Sequence, residues 1–200
     1  EVKNIDHPIV LHVNTQKGKG YQPAIDDQKK YHWRAPFDLQ TGESKQSAPK
    51  ESYSAAVIDE LNAQVEAGKP VVAINAAIPG MFDLERFKAA HAERYFDVGI
   101  AEPDSVTTAV AMAAGGARPV LFESSTFLQR AYDQLVHDVA LNEYPIVMIV
   151  RGGTISSDSA THQGTFDISY ISSLPNIEYL APTNVEEMIS MLRWALKQND

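Results

Sequence analysis

Chemistry in this 200-residue sequence gathers in polar segments that interrupt apolar runs. In FDVGIAEPDSVT, residues 96–107, Glu102 stands directly before Pro103, a residue suited to the first helical turn. Its carboxylate is therefore expected at a helix N-terminus. On spacing alone, the ordinary role of an acid there is to complement the helix dipole, for ~0.3–1 kcal/mol. In SSTFLQRAYDQ, residues 124–134, Ser124, Ser125 and Thr126 read as helix-capping residues and Phe127 as core, with Arg130 one turn further on. The longest polar stretch is RGGTISSDSATHQGTFD, residues 151–167. Loops of that length inside a domain are usually functional or disordered. Arg151 could grip an anion and His162 could move a proton near neutrality. Asp158 and His162 read alone are also ordinary turn residues that bond their own backbone.

The elements expected to position these segments follow from apolar periodicity. Ile9 to Val13 reads as a short strand feeding a loop, and QTGESKQSAPK, residues 40–50, as a solvated linker. Residues 51–67 place Val57, Leu61 and Val65 four apart, with Gly68 at the C-cap position, so a helix is predicted. Strands are then predicted at 71–76, 94–98, 119–122 and 145–150. Helices are predicted at 84–91, 103–114 and 126–142, the last with Leu128, Ala131, Leu135 and Val139 on one face. Residues 177–180 look strand-like, and Thr183 with Glu186 reads as a capping box opening a final helix. Apolar strands alternating with helices imply an α/β fold, a parallel sheet covered by helices on both faces, with residues 145–150 as its most buried-looking strand. Ligands of such sheets bind outside the carboxyl ends of the strands, which puts the loops after Val98, Phe122 and Val150 at the site.

Composition removes several classes. With no cysteine, the chain has no disulfide framework, thiolate metal site or cysteine nucleophile, and a reducing cytoplasm fits best. A net charge of −9 repels a phosphate backbone, so nucleic acid is not expected as a partner. No run approaches the ~20 apolar residues of a spanning helix, so no membrane partner is expected. Dinucleotide, P-loop, esterase-elbow and zincin motifs are absent. His12 and His137 read as structural, His7 and His91 as exposed, and no histidine has metal-ligand spacing. The start lacks a methionine and a basic-then-apolar leader and reads as a chain entered part-way.

In order along the chain, HVNTQKGKGY with YHWRAPFD, RYFDVGIAE, STFLQRAYDQLVHDVA, and THQGTFDISYISSLPN with LAPTN resemble the 1-deoxy-D-xylulose-5-phosphate synthase family, thiamine-diphosphate enzymes of the transketolase-like group. The resemblance implies three parts. Residues 1–38 are the tail of a diphosphate-binding domain, 39–50 a linker and 51–200 a pyrimidine-binding domain of transketolase type. It also implies that the magnesium and diphosphate motif lies upstream, so that these residues do not hold the cofactor by themselves. Within the family's pattern, Glu102 hydrogen-bonds N1′ of the aminopyrimidine of thiamine diphosphate, a task suited to a carboxyl shielded from water. Phe127 packs on that ring and Arg130 lines the same site. Arg151 meets the phosphate of glyceraldehyde 3-phosphate, with His162, Asp158 and Ser124 on the acceptor side, and His32 lies near the reacting carbons. The implied reaction decarboxylates pyruvate and joins it to the aldehyde phosphate, feeding isoprenoid and thiamine precursors. The implied assembly is a cytoplasmic homodimer.

Several positions depart from the family's usual residues. Pro103 and Asp104 stand where Gln-His is usual, and Ser124 where a tyrosine is common. Trp33 and Arg34 replace smaller residues after His32, and Ile25 replaces a glutamate. An added anion close to a phosphorylated substrate is unfavourable. Two other readings therefore stay open: a divergent or split transketolase-like subunit with another donor or acceptor, and a non-catalytic interaction domain.

Overall fold

Four β-rich runs line up as one parallel sheet: β1 (Val71–Asn75), β2 (Tyr95–Asp97), β3 (Arg118–Ser124) and β4 (Val147–Arg151), in spatial order β2-β1-β3-β4. The computed structural model describes residues 2–32, 34–46, 52–152 and 161–198. It divides into two compact units, Glu1–Lys50 and Glu51–Asp200, the second of which holds the sheet. Side chains of a strand alternate between faces, and here that alternation splits the core in two. Val71, Ala73, Val120 and Phe122 pack with Val57, Ile58 and Leu61 of α2 (Tyr53–Glu66), with Leu84 and Phe87 of α3 (Leu84–Ala90), and with Leu192 of α8 (Val185–Ala195). Ile74 and Leu121 face the other way, onto α4 (Glu102–Ala114) and the segment 125–140. Helices therefore cover both faces of a parallel sheet, as the alternation of apolar runs predicts.

Local signals account for most element ends. Gly68 takes a left-handed φ of +79° after α2, and its N–H donates to Val65 O while Lys69 N donates to Gln64 O, which satisfies carbonyls the helix leaves open. The capping box of α8 lies one residue later than predicted. Asn184 Oδ1 accepts from Glu187 N, and Glu187 Oε2 accepts from Thr183 N and Oγ1, each at 2.8 Å.

Other expectations are corrected. Residues 126–142 do not form one helix. They run as α5 (Ser125–Leu128), a 3-10 turn (Gln129–Ala131), α6 (Tyr132–Gln134) and a π turn (Leu135–Ala140). The predicted apolar face is nonetheless buried, because periodicity reports which side faces the core and is insensitive to local rewinding. The π turn widens the ladder, and Asn142 Nδ2 collects the carbonyls of His137 and Asp138 at 2.8 and 3.1 Å. Residues 145–150 do not make the most buried strand: β4 is an edge, half-buried and exposed towards Val150, since β1 and β3 take the centre. Ile9 to Val13 and Ile177 to Leu180 form no strand. Both runs have strand-like composition, yet Val10, Leu11, Tyr179 and Leu180 are exposed and neither run finds a neighbouring edge to pair with.

The first unit is small. Helix α1 (Gln22–Asp26) adjoins a cluster in which the rings of Tyr21, Tyr31 and Phe37 lie 5.4–6.0 Å apart. Of the stretch read as a linker, residues 39–46 belong to a turn closed by a Phe37–Ser44 bridge, while 47–50 lie outside the described residues. No helix among the described residues is long and apolar enough to cross a membrane.

Phe122 lies under the α2/α3 layer, edge-on to Phe82 at 5.3 Å. Phe122→Ala is expected to lower the unfolding free energy of this unit by about 3–5 kcal/mol. Leu141→Ala, at an exposed position, is expected to change it by at most about 0.5 kcal/mol. Urea titration followed by circular dichroism reads both.

Candidate active site

The connection from β2 to α4 is a polar knot centred on Asp97. Its Oδ1 accepts from Ala77 N and Gly99 N, both at 3.0 Å, and Oδ2 accepts from the Tyr95 hydroxyl. Gly99, at φ +75°, turns the chain into α4 in a conformation that side chains with a Cβ resist. Glu102 is thereby the first residue of α4, one earlier than predicted, and only 4% exposed. Pro103 occupies the first turn, where its missing N–H costs no hydrogen bond. Ser105 Oγ donates to Glu102 O at 2.7 Å.

Arg130, on the 3-10 turn, donates from Nη1 to Glu102 Oε1 at 2.7 Å. Among the described residues, Oε2 of Glu102 receives no hydrogen bond. The same guanidinium lies 5.7 Å from the centroid of the Phe127 ring, and that ring meets His162 edge-on at 5.3 Å. The structure thus links Glu102, Arg130, Phe127 and His162, drawn from three separated segments. The polar loop is pinned there by Gly164, whose N–H donates to Thr126 Oγ1 at 3.1 Å. A cavity of about 160 Å³ opens beside them, lined by Ser125, Thr126, Gln129, Gln163, Gly164 and Phe166.

Beneath this group lies a carboxyl that the sequence reading passes over. Glu123 is fully buried on β3. Alternation places its side chain on the α4 face with Leu121, opposite Val120 and Phe122. Its Oε2 accepts from Ser124 N at 3.0 Å, and Oε1 has no partner. Burial, with a further push from the Glu102 carboxylate, raises its pKa from 4.5 to about 7, against the bond from Ser124 N and the pull of Arg130. The available signal was an acid inside the apolar run VLFE, but the expected strand stopped at Phe122. Asp167 escapes the sequence reading likewise. It is buried, and its Oδ2 accepts from the Tyr179 hydroxyl at 2.9 Å; burial first, then that bond, pushes the Tyr179 phenol up to about 12.

The remaining named residues sit elsewhere. Ser124 is buried at the end of β3, in register with Arg151. Arg151 donates from Nη1 to Met81 O at 2.7 Å, which ties the end of β4 to the 3-10 turn after β1. Asp104 is exposed. His32 lies in the first unit, where Lys17 Nζ contacts its Nδ1. Asp158 and Trp33 lie outside the described residues. Among the described residues, no group of three His, Asp or Glu side chains could hold a metal ion.

Residues 50–200 match the family described as "Transketolase, pyrimidine binding domain". The chain belongs to this family. Over 200 residues, all of this chain, it is 45% identical to the 1-deoxy-D-xylulose-5-phosphate synthase of Clostridium acetobutylicum, and over 196 residues, 98% of this chain, 43% identical to that of Acidobacterium capsulatum. It spans 32% and 31% of the lengths of those relatives. Among solved structures, a chain described as "Split gene transketolase, inactive beta4 tetramer" superposes with a TM-score of 0.64 at 20% identity, over 74% of this chain and 48% of the other. That likeness shows the fold of a transketolase pyrimidine-binding domain at the level of backbone layout.

Two predictions follow from the site of this pyrimidine-binding domain. A Cβ on Gly164, at φ +52°, would lie 2.1 Å from Gly152 O and 2.5 Å from Ser125 Oγ. Gly164→Ala is therefore expected to cost more than about 1 kcal/mol and to release the loop, read as faster amide exchange at 161–166. For Glu123, the native state keeps a proton that the unfolded chain has already lost between pH 4.5 and about 7. The stability this adds is complete below the lower value and is lost as pH rises through the upper one. Glu123→Gln is expected to gain on the wild type as pH rises, by roughly 2–3 kcal/mol at alkaline pH. Denaturant titrations across that range give the difference directly.

Proposed function

We propose that this chain supplies the pyrimidine side of a thiamine-diphosphate-dependent synthase that condenses pyruvate, with loss of carbon dioxide, and glyceraldehyde 3-phosphate into 1-deoxy-D-xylulose 5-phosphate. The carrying observation is the Glu102 carboxyl at the sheet mouth, almost out of water, with one oxygen taken by Arg130 and the other receiving no bond among the described residues. The donor set fits an aminopyrimidine: a shielded carboxyl oxygen for a ring nitrogen, beside the half-buried ring of Phe127 for the heterocycle's face. Relatives named for this synthase, matching along the whole chain at 43–45% identity, support the same reading.

When bound, thiamine diphosphate supplies the acidic carbon through which the decarboxylation and ligation run. The protein's part is to hold and orient. Glu102 would bond the pyrimidine nitrogen and exchange a proton there, and Arg130 would hold that carboxyl in place through its Oε1. Phe127 would pack on the ring, with His162 beside it able to bond an acceptor hydroxyl. Arg151 at the end of β4 would have to leave Met81 O to meet a phosphate. Magnesium and the diphosphate would be held by a separate diphosphate-binding domain, within a cytoplasmic homodimer. A chain of net charge −9 draws two anionic substrates through local cations alone.

The test is Glu102→Ala in the full-length protein. Carbon dioxide release from pyruvate in the presence of the aldehyde phosphate is expected to fall by roughly 10²–10⁴-fold, while calorimetry of the wild type with thiamine diphosphate and magnesium shows binding. Unchanged release in the variant would remove Glu102 from the reaction.

A further inference from the structure

Ser124, Ser125 and Thr126 open α5, where hydroxyls ordinarily cap the N–H groups of their own helix, yet the capping residue Ser124 makes no such bond. Thr126 Oγ1 instead accepts from Gly164 N at 3.1 Å, a donor 38 residues further along the chain. One residue earlier, Ser125 O accepts at 3.3 Å from the hydroxyl of Tyr170, on α7 (Asp167–Ile171). Two consecutive residues of α5 thus receive the polar loop and the helix that follows it. Gly164 is buried and close-packed, since a Cβ there would meet Gly152 O and Ser125 Oγ. The next residue along α5 is Phe127, whose ring His162 meets edge-on at 5.3 Å. His162 is exposed and lies two residues before Gly164, and two residues of chain span at most about 7 Å. The bond from Gly164 N to Thr126 therefore restricts where the imidazole can stand relative to the Phe127 ring. Thr161 Oγ1 lies 2.8 Å from His162 Nδ1, so the ring is oriented from within the loop and the loop from Thr126.

We propose that Thr126 is a positioning residue for the acceptor substrate: its hydroxyl anchors the loop that carries His162 and so sets where that histidine stands against the heterocycle packed on Phe127. This inference rests on the roles given to His162 and Phe127 above, but the anchor itself can be examined without cofactor or substrate. Thr126 acts only through His162. Consecutive residues of α5 then carry both halves of the alignment, the ring for the heterocycle and the acceptor that holds the histidine loop, so one short turn registers acceptor against cofactor. Loss of the hydroxyl would leave the N–H of a buried residue without its partner and let His162 shift. A misplacement of about 1 Å can cost up to about 10²-fold in rate.

The test uses the full-length protein. Amide exchange at 161–166, read by mass spectrometry, is expected to be faster in Thr126→Val, which keeps the shape and deletes the acceptor, and to return towards the wild-type rate in Thr126→Ser. Unchanged exchange in Thr126→Val would overturn the anchor. In steady-state kinetics, kcat/KM for glyceraldehyde 3-phosphate is expected to fall roughly 10–10²-fold in Thr126→Val, with thiamine diphosphate affinity unchanged and with rescue in Thr126→Ser. The deciding comparison is made in His162→Ala. There Thr126→Val is expected to cause no further loss, because the side chain through which it acts is already gone. Equal losses in both backgrounds, a parallel loss of cofactor affinity, or no rescue in Thr126→Ser would overturn the positioning role. Thr126→Ala, which deletes the same acceptor without a second methyl, carries the cycle if Thr126→Val does not fold. Absence of turnover in the wild type would instead defeat the proposed function, and the exchange rates would still decide whether Thr126 holds the loop.

Discussion

Two carboxyls taken out of water set the constraint around which the site is built. A carboxylate taken out of water must be paired, bonded by N–H groups or protonated. Glu102 takes the first route with Arg130 and stands at a helix N-terminus, where the dipole also favours negative charge. Glu123 has one backbone N–H and a raised pKa. The two carboxyls thus meet the same cost by different routes, one through a cation and the other through a backbone N–H and a retained proton.

The fold holds this arrangement on rigid parts. In a parallel sheet every carboxyl end lies at the same edge, so turns from separate strands meet without long excursions. The best-buried strands, β1 and β3, stand at the centre. Glu123 belongs to β3 itself, and Arg130 follows within two short turns of its end. Glu102 is reached from β2 through the Asp97 knot, whose acceptors leave that connection few alternatives. Close approach completes the group. Gly164 sits where a Cβ would strike the Gly152 carbonyl and the Ser125 side chain, so the polar loop can reach Thr126 only with a residue that has none.

Much of this was legible in the residues, and the failures have a common physical source. Apolar spacing marked α2, α4, β1 and β3, whose partners are set by burial, and it marked the buried face of 125–140 although not its winding. Strand propensity at Ile9 to Val13 and Ile177 to Leu180 carried no information about a partner edge, and strands exist only in pairs. Glu102 illustrates a different limit. Its place at a helix start followed from Pro103, but spacing could not separate a dipole-complementing acid from a working one; that distinction came from the resemblance and is supported by burial. Glu123 was missed because an acid inside a strand run reads as the end of the strand. Its meaning depends on which face of the sheet it occupies, and that is set by the helices packed there.

The unequal exposure of the pair carries a consequence for assembly. The Glu102 side chain is 6% exposed, whereas that of Arg130 is 60% exposed, so water screens one half of the interaction. On the proposed reading, a cofactor and a second domain cover this mouth. Covering it would lower the local dielectric around the guanidinium and strengthen its attraction to Glu102. The pair would then hold the carboxyl more firmly once the mouth is covered, because Arg130 is the member left in water.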